Sequence, residues 1–162
     1  MLSLMEVDHQ YVEVKTKYQL LSLIKKSPYR IIHITTHGSV RNRKKKVLFK
    51  GLWLKDGTLT IEDIDELRNK LKGYSVVCTA CLSGDSNFAQ KFAEVTACSH
   101  YIAPSGSPRF HNSIFFAHIF YHKYFILNKN IKNIISEYDS KYKNPHNFAL
   151  VSLKKFIDKI LE

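Results

Sequence analysis

Apolar and polar positions follow two different periods along this chain, and the changes of period mark its elements. Tyr18, Leu20, Leu21, Leu23 and Ile24 recur at helical spacing behind Thr16, a capping residue type, and Pro28 ends the run, so a helix is expected there. Residues 30–35 are instead mostly apolar and β-branched, the pattern of a strand buried on both faces of a parallel sheet. Residues 75–80 repeat that pattern, 101–103 form another strand, and 11–14 are a short strand candidate ahead of the first helix. A basic loop at 41–46 is followed by two runs, 47–54 and 58–59, joined through Asp56-Gly57, a strong hairpin dipeptide. Thr60 with Asp63 resembles a capping box and predicts a helix through Ile61, Ile64, Leu67 and Leu71 that Gly73 closes. Residues 87–97 read as helical, and beyond the 105–108 loop only helices are expected, at about 113–127, 131–142 and 146–161.

Strands alternating with helices predict an α/β fold: three α/β/α layers around a mostly parallel sheet, in one domain spanning 1–162. In such sheets the chemistry gathers at the carboxyl ends of the strands, where His37, Cys81 and Ser105 all fall.

Composition alters this picture little. With 44% hydrophobic residues the chain is expected to be a compact globule, and residues 1–10 carry Glu6 and Asp8 where a secretory leader needs basic and then apolar residues. The most apolar stretch, 113–127, is interrupted by His118, His122 and Lys123 and is too short to span a membrane. Three cysteines, an odd number, fit free thiols in a reducing compartment, so a cytoplasmic, soluble protein is expected. The net charge of +11 favours encounters with polyanions, but no aromatic residue interleaves the 41–46 charges to stack bases, so nucleic-acid binding is only a rival reading.

A thiol attacks a carbonyl as the thiolate, which calls for a nearby imidazole and donors for the oxyanion that forms. His37 and Cys81 each stand just past a buried strand, and adjacent parallel strands about 4.8 Å apart would bring both to one rim. Gly38 would let its N–H approach a substrate oxygen with no Cβ in the way, the Cys81 N–H would be the second oxyanion donor, and Ser83-Gly84 permits a sharp turn. Cys78 and Cys81 formally make a C-x-x-C, but residues three apart on a strand point to opposite faces, out of disulfide reach. Cys78 and Cys98 are therefore expected to be buried small hydrophobes. His33 is read as a packed core residue, and His118 with His122 lacks a third metal ligand, so neither metal nor cofactor is expected.

Three blocks carry a family resemblance: Thr35-Thr36-His37-Gly38, then Leu52-Trp53-Leu54-Lys55-Asp56-Gly57, then Ala80-Cys81-Leu82-Ser83-Gly84. In this order they resemble the CHAT branch of the caspase-like cysteine peptidases, the group that includes the separases. The resemblance implies His37 as general base, Cys81 as nucleophile and no obligatory third acid. It also implies an endopeptidase acting on protein substrates. Stand-alone prokaryotic members of the family often serve as switched effectors in antiviral defence, controlled from outside the peptidase domain. Two departures stand out. The family's sheet usually has six core strands, and neither a strand before 11–14 nor one after Ala103 is evident, so two edges open to a second copy or a partner chain are expected. Leu82 also stands where the family often has a charged residue.

For substrate selection, Arg109 follows the last sheet strand in the region that helps form the pocket for the residue before the scissile bond in caspases, and Asp85 lies four residues after Cys81, although helix capping is its other reading. Ser105 belongs to the same rim. The rival to catalysis is a scaffold that keeps the fold and binds a partner without turnover.

Overall fold

The computed structural model describes residues 1–43, 46–143 and 146–152, and the side chains of residues 41–43, 46 and 47 stand outside that description. Helix α1 (Lys17–Lys26) starts as its sequence dictates: Thr16 accepts from the Gln19 N–H while the Gln19 side chain reaches back to the Thr16 N–H, a complete capping box. Strand β1 (Ile31–Ile34) follows, then a three-stranded antiparallel sheet of β2 (Gly38–Arg43), β3 (Lys46–Leu54) and β4 (Gly57–Leu59). Strand β5 (Ser75–Cys78), helix α2 (Ser86–Thr96) and strand β6 (His100–Pro104) complete the central unit. Helices α3 (Phe110–Tyr121) and α4 (Ile131–Tyr142) and strand β7 (Phe148–Val151) close the described chain.

The main sheet runs β1-β5-β6-β7, with β1, β5 and β6 parallel and β7 antiparallel to β6. Its alternating side chains feed two cores. Val76, Cys78 and Tyr101 face α1, α2 and the β3–β4 hairpin, whereas Val77, Ile102 and Phe148 face α3 and α4. This is the expected three-layer α/β/α arrangement with a mostly parallel sheet. Among the described residues, no helix is long and apolar enough to cross a membrane.

Several local expectations give way to tertiary context. Residues 11–14 form no strand. The helix expected over 60–73 shrinks to a 3-10 turn at Asp63–Leu67, although Asp63 does accept from the Thr60 N–H at 2.8 Å as the capping pattern requires. The basic loop at 41–46 is part of a hairpin instead, since Arg41, Asn42 and Arg43 pair with Leu48, Val47 and Lys46. Strand β7 occupies the start of the helix expected at 146–161, and residues 153–161 of that helix lie outside the described residues. A strand after Ala103 therefore exists, and β6 is not an edge. The outer side of β1 is: among the described residues β1 pairs with β5 alone.

Candidate active site

Strand β5 is buried along its whole length and paired on both sides, so the chain leaves it in a fixed direction. The turn that follows is closed by Ser83 N–H to Ala80 O (3.2 Å) and Asp85 N–H to Leu82 O (2.9 Å). The Ser83 hydroxyl is fully buried and donates to Ala80 O at 2.7 Å. Two bonds to the β6 exit brace the turn from outside, Gly84 N–H to Pro104 O and Leu82 N–H to Gly106 O, both 2.8 Å. Leu82 is held at φ 59°, left-handed backbone that costs a non-glycine residue of order 1 kcal/mol or more. Gly84 has no such freedom to offer; it is needed because a Cβ there would fall 2.7 Å from Ala103 O.

Cys81 sits at the head of this turn with a partly exposed thiol whose Sγ donates weakly to Pro108 O at 3.8 Å. Among the described residues its N–H donates to no backbone or side-chain acceptor, so that donor is open to a ligand. The other two thiols are buried, and burial pushes Cys78 up and Cys98 up to about 11, which keeps both protonated and inert.

From the other side, β1 leads through Thr35 and Thr36 to His37, and β2 begins at Gly38. The two strand exits touch here. An ideal Cβ on Gly38 would lie 1.9 Å from the Cys81 carbonyl oxygen and 3.1 Å from the Phe49 ring. Glycine at 38 is thus required by the close approach of two backbones, a reason different from the open path to substrate read from the sequence. His37 is exposed; its carbonyl accepts from the Trp53 N–H at 2.8 Å, and its ring meets the Trp53 indole edge-on, centroids 6.1 Å apart. Thr36 pins the same junction by donating its hydroxyl to Trp53 O at 2.5 Å.

Trp53 was not singled out from sequence, yet the signal was present. Leu52 and Leu54 are buried and Trp53 between them is 51% exposed, so strand alternation alone turns a large aromatic outward beside His37. Asp56 also acts farther away than its turn. Its carboxylate accepts from the Lys17 N–H at 3.1 Å through both oxygens, anchoring the start of α1 to the hairpin.

The candidate specificity residues are dispersed. Arg109 follows Pro108, the thiol's acceptor, and its exposed guanidinium makes no ion pair or hydrogen bond among the described residues. Asp85 caps α2, accepting from Asn87 N–H (3.1 Å) and Phe88 N–H (3.3 Å), so its carboxylate is already engaged. The Ser105 hydroxyl points to Asn147 O at 3.5 Å, toward the approach to β7.

A family model for the CHAT domain matches residues 6–110, from the segment before α1 to the first residue of α3. No curated protein and no solved structure matches the chain. The match spans more than half of the sequence and contains both strand exits, the hairpin and the cysteine turn, so the chain belongs to the CHAT domain family and is a domain of the caspase-like cysteine peptidase type.

Proposed function

We propose that this chain is a cysteine endopeptidase in which His37 and Cys81 act as a dyad. The observation that carries the reading is the backbone contact between Gly38 and Cys81, which joins the exit of the His37 strand to the exit of the Cys81 strand around the one partly exposed thiol among the three cysteines. In this mechanism the His37 imidazole takes the Cys81 thiol proton, and the thiolate adds to the peptide carbonyl carbon. The Cys81 and Gly38 N–H groups stabilise the oxyanion. Collapse breaks the C–N bond, the amine leaves with the proton from His37, and an acyl-thioester remains on Cys81. Water, deprotonated by His37, adds to the thioester; the acid departs and the thiol is restored.

Arg109 is the proposed selector for an acidic residue before the scissile bond, since its guanidinium is free to pair with a carboxylate and the Asp85 carboxylate is held by α2. Control by a partner or by a second copy, and a role as a switched antiviral effector, follow from the family resemblance. Tagging of new α-amino termini in a protein mixture tests the reading. Termini that appear with wild type and vanish with Cys81→Ala, preceded by Asp or Glu, are expected. Termini that appear equally with both proteins contradict the peptidase, and termini preceded by Arg or Lys contradict the assignment of Arg109.

A further inference from the structure

Along the free edge of β1 runs a groove of about 780 Å³ that ends beside the His37 junction. One side is β1 itself, contributing Ile31, His33 and Ile34, and then Thr35 and Thr36; the other is the consecutive run 7–14. The backbone on both sides lacks partners. Arg30 O and Ile34 O accept from Ser75 and Thr79 of the β5 segment, so the even-numbered residues of β1 turn their polar groups inward to β5. The N–H and C=O groups of Ile31, His33 and Thr35 therefore face the groove. Opposite them, residues 8–14 make no backbone-to-backbone hydrogen bond among the described residues.

The groove's floor and roof are apolar. Ile114, Tyr121 and Phe125 lie on the α3 side, and Val14, Leu20 and Leu54 on the α1 side. Its charge differs from that of the rest of the protein: residues 1–14 hold Glu6, Asp8 and Glu13 and no lysine or arginine, in a chain of net charge +11. Arg30, the one arginine on the groove, places its guanidinium over the Tyr74 ring at 5.0 Å, leaving Asp8 and Glu13 as the carboxylates at the rim.

From this we infer that the groove is a strand-accepting slot, filled by an extended segment of another polypeptide that is apolar on both faces and flanked by lysine or arginine. A row of outward-turned backbone groups on β1, faced by a run without backbone partners, calls for a ligand with donors and acceptors along its length, which an extended chain supplies and a helix or a small apolar ligand does not. Apolar walls above and below require apolar side chains at alternate positions on both faces, the composition of a central strand. The rim carboxylates select the flanking charge. Among the described residues every other strand already has a partner, and the added segment is assigned to a partner chain. Because β1 continues into His37, the added strand would also fix the direction of that exit; binding itself does not depend on catalysis.

The probe is the peptide Lys-Lys-Val-Ile-Tyr-Val-Ile-Lys-Lys, followed by fluorescence anisotropy and by amide hydrogen exchange on the whole chain. Binding is expected to slow exchange at the amides of Ile31, His33 and Thr35 and at residues 8–14. Replacing the central tyrosine by proline should weaken binding about tenfold, the loss of one or two hydrogen bonds. Replacing the lysines by glutamates should weaken it about fivefold at low salt, and the exposed-residue variant Asp8→Lys/Glu13→Lys should reverse that charge preference. Absence of binding, binding that leaves the three β1 amides unprotected, or equal binding of the proline peptide would overturn the inference, whether or not the protein cleaves peptides.

Discussion

The two strands that lead into the candidate site are built differently. β5, which delivers Cys81, is buried at all four positions and paired on both sides, and its exit turn is tied to β6 by two backbone bonds of 2.8 Å. β1, which delivers His37, is an edge strand with His33 exposed, Ile31 and Ile32 half-buried and one flank without partners. Local opening is least costly where backbone bonds face solvent and buried contacts are few. Cys81, the proposed nucleophile, is thus mounted on the most fixed strand of the sheet and His37, the proposed base, on one of its least fixed, so control over the proposed chemistry is most readily exercised through β1.

Removing the proposed base should have the largest effect. His37→Ala should lower kcat by about a hundredfold to ten-thousandfold, the usual worth of a positioned acid–base group, with the melting temperature unchanged because the side chain is exposed. Unfolding in that variant would mean that the His37 junction is structural and would erase the contrast between the strands.

Gly38→Val comes next, because it strikes where the two strands meet. Its side chain collides with the Cys81 carbonyl, so a stability loss of about 1–3 kcal/mol by denaturant titration should accompany lost turnover. Lost turnover at full stability would point to an oxyanion role alone.

The smallest effect is one of pH. His33 packs its ring against Tyr121, centroids 5.7 Å apart, and Nε2 lies 3.4 Å from the Thr79 hydroxyl, while its other side is open to the groove. Desolvation on the crowded side lowers its pKa from 6.5 to about 4. The unfolded chain gains this proton as pH falls through 6.5 and the folded one only near 4, so stability should fall across that window and level off below it. The open side makes the loss smaller than the shift alone implies. His33→Asn should flatten the profile in thermal melts; an unchanged slope would show that the ring is hydrated on both sides.

Much of this fold was legible because its signals are local. Thr16 and the helical spacing behind it announced α1, Asp56-Gly57 the hairpin, and two apolar β-branched runs the strands β1 and β5 that converge at the site. What was not legible depends on distant partners. β7 is four residues long and exists through its ladder with β6, where Ala149 pairs with Ala103 more than forty residues away. The charges of Arg41 and Arg43 read as a loop because a hairpin arm outside the main sheet need not bury both faces. Asp56 gave no hint that it would cap a helix thirty-nine residues earlier. In the candidate site, His37, Gly38 and Cys81 were found from residue type and position at strand ends, but the reason for glycine at 38 required the backbone contact itself.

Intact-mass analysis after treatment with a peptidyl fluoromethyl ketone tests whether Cys81 is the reactive thiol and His37 its base. One adduct on Cys81 is expected, absent in Cys81→Ala and formed much more slowly in His37→Ala, with Cys78 and Cys98 untouched because burial keeps them protonated. An adduct on Cys78 or Cys98, or one on Cys81 at the same rate with and without His37, would contradict the account.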